Sequence, residues 1–280
     1  MNNKELMLIA YKVKKHVIDA VHSAGSGHPG GSLSISETLA LLYFEEMQNL
    51  DINNPKNPDR DRFVLSKGHC SPALYGVLAE KGFFCRDLVK GFRQIDSCMQ
   101  GHPSIKDVPG VDMSTGSLGQ GISAACGMAI SAKLDNKSYR VYSVMGDGET
   151  QEGQVWEAAM FAAHYKLDNL CAVLDFNGLQ IDGNITDVMS PLPLDEKFKA
   201  FNWNVIYAEA HDFDSLRSGF AKARECKGKP SIIIAKSTKG KGVSFMENAA
   251  GWHGNAPNDE QYAIASAELD AVITELGGVG

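Results

Sequence analysis

The sequence of 280 residues lacks several features that would assign it to a class directly. No apolar run approaches the roughly 20 residues needed to cross a bilayer, so we expect no membrane-spanning segment. No basic tract is present and the formal net charge is −7, which argues against a nucleic-acid partner. The N-terminus lacks a signal-peptide pattern, and the six cysteines form no Cys-x-x-Cys pair. These absences favour a cytoplasmic protein with reduced thiols.

The sequence does contain a regular alternation of apolar strands and amphipathic helices. Strands are predicted over 63–66, 139–145, 170–174, 204–208 and 231–235. Helices are predicted over 6–21, 36–47 with Ser36 as N-cap, 71–81, 117–134, 150–166, 213–226 and 258–276. This alternation predicts an α/β fold, a parallel β-sheet with helices on both faces and an N-terminal helical arm. Because we find neither a repeat nor a low-complexity linker, we expect a single domain over residues 1–280.

Two polar motifs follow neighbouring predicted strands. Asp147 stands between Gly146 and Gly148 at the end of one strand, and Asn177 closes the next strand thirty residues later. Two adjacent parallel strands would present this carboxylate and this amide oxygen at the same sheet edge, as ligands suited to Mg²⁺ or Ca²⁺ that also holds a phosphate group. The two glycines allow a sharp turn and close approach of an anion. The next helix is expected to start here, where its free N–H groups favour a diphosphate.

Four of the eight histidines lie in glycine-rich loops, where a parallel α/β sheet carries its functional groups. They are His28, His69, His102 and His253. Because the unperturbed pKa of imidazole lies near neutrality, such a group is suited to hydrogen bonding and proton transfer. The other four lie on predicted helices or a polar turn and receive no assigned role: His16, His22, His164 and His211.

Gly-Asp-Gly followed about thirty residues later by Asn resembles the thiamine diphosphate signature, and its context over 146–157 resembles transketolase. The other segments similar to transketolases are 26–30 (SGHPG), 65–69 (LSKGH), 101–103 (GHP), 115–122 (TGSLGQGI) and 251–254 (GWHG). The family often has Asn-Asn where this sequence has Phe176-Asn177, and commonly has Pro at Ser117. The similarity extends along nearly the whole chain but covers only the diphosphate-binding domain of that family.

The resemblance implies a role for each matching residue. His69 would contact the diphosphate near the thiazolium, while His28, His102 and His253 would line the substrate channel and move protons. The loop against the cofactor would be formed by Gly116, Ser117 and Leu118, and Ile181 would pack on the cofactor. The metal ion would be held by the Asp147 carboxylate, the Asn177 amide oxygen and the backbone carbonyl of Leu179. Gly146 would adjoin the cofactor, and the Gly148 N–H would meet a diphosphate oxygen.

The sequence allows more than one role for several charged residues. In transketolases, glutamates at the positions of Glu152 and Glu157 belong to an acidic network across the subunit interface. Glu152 is therefore included among the catalytic and cofactor-binding residues, although both could be ordinary helix carboxylates. Asp175 could support the metal ligands from behind. Lys239 and Lys241 could help to place a substrate phosphate, or could be solvated loop lysines.

In the family, a second domain carries the glutamate that activates the cofactor pyrimidine and most of the arginines that bind substrate phosphate. The resemblance therefore implies the N-terminal subunit of a split transketolase, active only with a separate C-terminal subunit that carries the pyrimidine-binding domain, as an α2β2 assembly. Its reaction would move a two-carbon ketol unit from a ketose phosphate to an aldose phosphate, with thiamine diphosphate and Mg²⁺ or Ca²⁺ as cofactors.

Two other functions are compatible with parts of the sequence. The α subunit of a 2-oxoacid dehydrogenase E1 would share the cofactor signature, but not the set of histidine motifs. A nucleotide-binding module or a catalytically silent partner subunit is the second alternative. Against nucleotide binding, the chain has no G-x4-G-K-[ST] pattern, and the glycines at 116, 119 and 121 do not fit the dinucleotide fingerprint.

Overall fold

The computed structural model describes residues 1–278, and its core is a five-stranded parallel sheet with the strand order β1-β2-β3-β7-β6. The strands of this sheet are β1 (Arg62–Leu65), β2 (Val141–Gly146), β3 (Leu170–Phe176), β6 (Asn204–Glu209) and β7 (Ser231–Lys236). A separate two-stranded antiparallel ribbon, β4 (Leu179–Gln180) with β5 (Gly183–Asn184), follows β3 directly. All five strands predicted from the sequence are therefore present, with ends that differ by one or two residues.

The helices lie on both sides of this sheet, as predicted. They are α1 (Asn3–Ala24), α2 (Pro29–Leu33), α3 (Ser36–Leu41), α4 (Ser71–Lys81), α5 (Gln120–Leu134), α6 (Gly153–His164), α7 (Ile185–Met189), α8 (Leu194–Ala200), α9 (Phe213–Glu225) and α10 (Asp259–Glu275). Within residues 1–278, none of the helices has the length and apolar character that crossing a bilayer requires.

Alternate residues of each strand enter two separate apolar cores. Val144 and Val173 pack with α1, α3, α4 and α9 on one face, whereas Met145 and Leu174 pack with α5, α6 and α8 on the other. Strands buried on both faces explain why these segments read as continuous apolar runs in the sequence. This two-sided packing leaves only the ends of the strands free to present polar groups.

The N-terminal helix is longer than its apolar pattern indicates. A capping box formed by Asn2 and Glu5 starts α1 at Asn3, and Gly25 ends it in a left-handed conformation with φ 58°. The helix packs against α4 and α10, and α10 begins with a capping box of its own at Asn258. The predicted N-terminal helical arm is thus confirmed as a packed element of the first core.

Some predicted boundaries are wrong for local reasons. Ser36 is not an N-cap, because its hydroxyl donates to the Ser32 carbonyl at 3.2 Å and a short helix, α2, already precedes it. The predicted helix 36–47 changes to a π-helical turn over Leu42–Glu46. The predicted helix 117–134 begins only at Gln120, since Gly119 is left-handed with φ 80°.

Candidate active site

The two polar motifs meet at the carboxyl edge of the sheet. In the register of β2 and β3, Gly146 lies opposite Asp175, so the residues that follow each strand are neighbours. Asp147 is 2% exposed, and its Oδ2 accepts the backbone N–H groups of Asn177 at 3.0 Å and Gly178 at 2.6 Å. Its Oδ1 accepts the Gly148 N–H at 2.8 Å. The carboxylate is therefore fixed in place by backbone donors from both strand ends.

The side chain of Asn177 is oriented by a buried carboxylate. Its Nδ2 donates to Asp175 Oδ2 at 3.0 Å, and its Oδ1 accepts the Leu179 N–H at 3.0 Å. Asp175 Oδ2 also receives Lys67 Nζ at 2.5 Å and the Ser34 hydroxyl at 2.7 Å. Because Asp175 offers only acceptors, the amide nitrogen must face it and the amide oxygen must face away. Asp175 thus supports the predicted metal ligand from behind.

The electrostatics of Asp147 favour a cation beside it. Burial and the nearby charge of Asp175 raise the pKa of Asp147 to about 6, against the opposing effect of its backbone hydrogen bonds. Residues 1–278 contain no group of three or more His, Cys, Asp or Glu side chains arranged around a common metal position. One carboxylate, one amide oxygen and a backbone carbonyl are the hard oxygen donors that a diphosphate-bound Mg²⁺ or Ca²⁺ accepts, so the residues fit such an ion.

A cavity of about 320 Å³ opens at this edge. It brings together most of the residues that the sequence pointed to: His69, Leu118, Gly146, Asp147, Gly148, Glu152, Asn177, Leu179, Ile181 and His253. Gly116, Ser117 and His102 line a neighbouring cavity of about 550 Å³. The two cavities do not reproduce the predicted division, because His253 lies with the metal-site residues and Gly116 and Ser117 lie with His102. The role of each residue stays a prediction.

Three of the four loop histidines form one cluster. The ring centroids of His28, His69 and His253 lie 5.1 to 5.5 Å apart in all three pairs. His28 Nδ1 is buried and has no hydrogen-bond partner among the described residues. An unsatisfied buried ring nitrogen is costly in the free protein.

These imidazoles are neutral at pH 7. Burial lowers the pKa of His28 to about 4, helped by the charge of Arg93, and lowers that of His253 to about 3, helped by Lys239. The pKa of His69 falls well below its ordinary value through burial and the charge of Lys67. Burial also lowers the pKa of His102. Each neutral ring has one donor and one acceptor nitrogen, which suits hydrogen bonding to hydroxyl and carbonyl oxygens.

Sequence reasoning assigned no role to Lys67 and left the role of Lys239 open. Lys67 is fully buried against Asp175, although it stands next to Gly68-His69 in a segment already singled out. Lys239 is 2% exposed, and its Nζ lies 3.1 Å from His253 Nδ1 and 3.4 Å from the Leu179 carbonyl. The interpretation of Lys239 as a solvated loop lysine is therefore wrong. The position of Lys239 in a glycine-rich loop was the sequence feature that could have indicated its burial.

Glu149 is the other residue that the sequence analysis overlooked. Its carboxylate is buried and accepts the Ser66 hydroxyl, the Gly119 N–H at 2.9 Å and the Gly146 N–H at 3.0 Å. Glu149 therefore joins the loop of Gly116–Gly119 to the turn that carries Asp147. Its place directly after Gly-Asp-Gly could have indicated this role.

The turn around Asp147 differs from the expectation in two respects. Neither Gly146 nor Gly148 has a positive φ, so the turn does not need the left-handed conformation that only glycine adopts readily. Instead, a Cβ at Gly148 would lie 3.4 Å from the side chain of Gln180. The next helix does not start here either, because a 3-10 turn over Gly148–Gln151 comes first and the Gly148 N–H already donates to Asp147.

Three residues with predicted roles are largely exposed in the chain. Ile181 is 62% exposed at the rim of the cavity. Glu152 immediately precedes α6, and Glu157 lies on the outer face of that helix. An exposed position is what a contact across a subunit interface would require of both glutamates. Lys241, by contrast, lies 3.1 Å from Glu247 and does not line the cavity.

The sequence matches the family model described as transketolase, thiamine diphosphate binding domain, over residues 7–270. It is 43% identical over 92% of its length to the 6-deoxy-6-sulfo-D-fructose transketolase subunit of Clostridium sp. (strain MSTE9), of which 94% is covered. It is 42% identical over 99% of its length to one of the subunits of the apulose-4-phosphate transketolase of Phocaeicola vulgatus, of which 98% is covered. These two relatives are thus matched over almost their whole length.

Longer transketolases are matched over only part of their length. The fold superimposes on the transketolase of Campylobacter jejuni with a TM-score of 0.88 and 31% identity, covering 99% of this chain but 46% of the other. Human transketolase is 44% identical over 88% of this chain, which covers 39% of the human protein. The chain therefore spans less than half the length of these transketolases.

Proposed function

The chain belongs to the transketolase family as its thiamine diphosphate-binding part, and from this premise we propose that it is the N-terminal subunit of a two-subunit transketolase. In this proposal, residues 1–280 form a single diphosphate-binding domain. The observation that carries it is the meeting of Asp147 and Asn177 at the edge of a cavity that also holds His69 and His253. A turn that merely resembled the motif would not assemble these groups around one space.

In the assembled enzyme, Asp147, Asn177 and the Leu179 carbonyl would hold the Mg²⁺ or Ca²⁺ that accompanies the cofactor diphosphate. Thiamine diphosphate, when bound, supplies the chemistry that breaks and forms the carbon–carbon bond next to a ketose carbonyl. Gly146, Gly148 and the loop of Gly116, Ser117 and Leu118 adjoin the cofactor. Backbone hydrogen bonds from Gly148, Asn177 and Gly178 to the Asp147 carboxylate support this assignment, because they join the two motifs without a bound ion.

The neutral histidines orient the sugar and move protons on its oxygens. We assign the substrate contacts to His28, whose buried Nδ1 has no partner among the described residues, and to His253, beside the Lys239 ammonium. His69 lies at the cofactor side and His102 at the neighbouring cavity. A neutral ring accepts a proton from a hydroxyl group at one nitrogen while donating at the other, which is the requirement for general base and acid steps.

The chain is proposed to act with a separate subunit that carries the pyrimidine-binding domain, as an α2β2 assembly. Both relatives matched over nearly their full length are named as transketolase subunits. Glu152 and Glu157, exposed on one side of the cavity, are the residues we assign to that contact. The names of the relatives also indicate ketoses that carry a sulfo or phosphate group, so we propose an anionic sugar as donor.

The relatives give no support to the alternative of a 2-oxoacid dehydrogenase α subunit. The test is to purify the chain with and without a subunit that carries the pyrimidine-binding domain, and to assay ketol transfer between sugar phosphates. We expect activity only from the complex with thiamine diphosphate and a divalent ion. Activity of the chain alone, or transfer to lipoyl acceptors by the complex, would contradict the proposal.

A further inference from the structure

A second buried polar cluster lies beneath the loop that carries Lys239, outside the cavity. Lys14 on α1 and Glu37 on α3 are both buried, and Lys14 Nζ contacts Glu37 Oε1 at 2.5 Å. Burial would raise the pKa of Glu37, but the Lys14 ammonium and the adjacent His211 ring hold the pKa at about 2. Glu37 is therefore ionised and can only accept hydrogen bonds.

His211, between β6 and α9, connects this pair to the next loop. Its Nε2 accepts the backbone N–H of Thr238 at 2.9 Å. Its Nδ1 lies 3.2 Å from Glu37 Oε2, at the distance of an ion-pair contact, and neither of these two atoms has a hydrogen-bond partner among the described residues. Since Nε2 must be unprotonated to accept, the ring proton belongs on Nδ1, where it faces the carboxylate. The Lys14–Glu37 pair thus selects the tautomer that can accept from Thr238.

Thr238 starts the loop that delivers Lys239 to the cavity. The loop is held close to its neighbours, because the Gly240 N–H donates to the Gly30 carbonyl at 2.9 Å. Gly240 has φ 79°, and a Cβ there would lie 2.2 Å from the Met246 carbonyl oxygen. A small displacement at Thr238 would therefore be transmitted to the buried Lys239 ammonium beside His253.

We propose, on the basis of the function proposed above, that His211 is a positioning residue. Its Nε2 fixes the Thr238 backbone and thereby aims Lys239 at the cofactor cavity, while Glu37 and Lys14 hold the ring in the accepting tautomer. His211 does not line the cavity, so we expect no direct contact between its side chain and the cofactor or the substrate. Its effect passes through a single backbone hydrogen bond.

Two substitutions separate the two nitrogens of the ring. His211→Gln places an acceptor where Nε2 lies and keeps the bond from Thr238, whereas His211→Asn keeps a donor toward Glu37 and loses that acceptor. Amide hydrogen exchange of the full chain gives the readout, with amides of β3 as an internal reference for global stability. We expect the Thr238 amide to exchange roughly two- to tenfold faster in the Asn variant, and near the wild-type rate in the Gln variant.

Other outcomes would overturn the inference. Equal exchange rates of the Thr238 amide in the two variants would show that an acceptor at the position of His211 Nε2 does not hold the Thr238 backbone. Faster exchange in β3 as well would make His211 a general stability residue. Neither readout involves the cofactor, so failure of the proposed function, seen as absence of thiamine diphosphate binding by the wild-type complex, is a separate result.

A double-mutant cycle tests the link to Lys239. Thiamine diphosphate affinity of the complex is measured for wild type, His211→Asn, Lys239→Met and the double variant. If His211 acts through Lys239, His211→Asn weakens binding in the wild-type background and has no further effect in the Lys239→Met background. Additive effects would contradict the proposed route, even if each variant alone bound more weakly.

Discussion

Asp147 Oδ2 accepts the backbone N–H of Asn177 at 3.0 Å, across two strand ends that are thirty residues apart in the chain. The two motifs are therefore locked to each other by the protein alone. Asp147 is held in an environment that disfavours its negative charge, with its pKa raised to about 6 by burial and by Asp175. A divalent cation bound there would relieve that unfavourable state, which links metal binding to the fold of this edge.

The carboxylate of Asp147 is the target of the first prediction. Asp147→Ala removes a metal ligand, so cofactor binding in the presence of Mg²⁺ should weaken more than the 10–100-fold typical of lost outer partners. The melting temperature without cofactor should fall, because the backbone N–H groups of Gly148, Asn177 and Gly178 lose their acceptor. Calorimetry and thermal melting measure both, with Asp135→Ala at an exposed position as the control. Undiminished binding would exclude Asp147 as a ligand.

The buried Lys67–Asp175 pair yields a prediction about stability. Lys67→Met leaves Asp175 buried without its cation, and should lower the free energy of unfolding by about 3–5 kcal/mol. The double variant Lys67→Met/Asp175→Asn, which buries no charge, should recover part of that loss. Urea unfolding measures the two values. A single variant as stable as the wild type would show that the pair does not hold this edge together.

The same pair gives a dependence on acid. Burial alone would raise the pKa of Asp175, but Lys67 and the hydroxyl groups of Ser237 and Ser34 outweigh it and hold the pKa below its ordinary value. The stability from this group is therefore present above the unfolded pKa of about 3.9 and is lost as pH falls through the lower, folded pKa. In the double variant, the decrease in stability below about pH 4 should be shallower than in the wild type.

The histidine cluster predicts a pH effect in a higher range. Burial depresses the pKa of His28 to about 4 and of His253 to about 3, against about 6.5 in the unfolded chain. Between these values the unfolded state binds more protons, so stability is full above about pH 6.5 and falls as the pH decreases. Urea unfolding at several pH values should give a smaller slope for His28→Asn and His253→Asn. An unchanged slope would mean that these rings titrate normally.

Lys239 and Lys241 form a matched pair for a binding test. Lys239 is buried beside His253 and the cavity, whereas Lys241 pairs with Glu247 near the surface. Because Lys239 lines the cavity assigned to the anionic diphosphate, we expect Lys239→Met to weaken cofactor binding roughly 10–100-fold. Lys241→Met should change it less than about twofold. Equal effects of the two substitutions would contradict a specific role for Lys239.

The strands and the shared position of the two polar motifs could be predicted from the sequence, because they depend on periodicity and spacing. Apolar runs buried on both faces identified every strand of the sheet, and the helix-length interval between Asp147 and Asn177 placed them at one edge. Helix ends were less accessible, because they depend on local geometry such as the left-handed Gly119. Propensity alone cannot show where such a turn falls.

Residues whose role depends on long-range packing could not be predicted in this way. Lys239 and Lys67 are buried only because loops distant in sequence close over them, and a lysine in a glycine-rich loop is more often solvated. The role of His211 is still harder to predict from the sequence, because its partners Glu37 and Thr238 lie on other elements. Only the folded arrangement brings these three side chains and backbone groups together.

The most direct test is a crystal structure of the complex with its partner subunit, grown with thiamine diphosphate and Ca²⁺, with anomalous data collected at long wavelength. We expect one anomalous peak at the carboxyl edge of the sheet, about 2.3–2.6 Å from oxygens of Asp147, Asn177 and Leu179 and from the cofactor diphosphate. A cofactor bound with those side chains directed away from the ion, or an ion held elsewhere, would contradict the assignment.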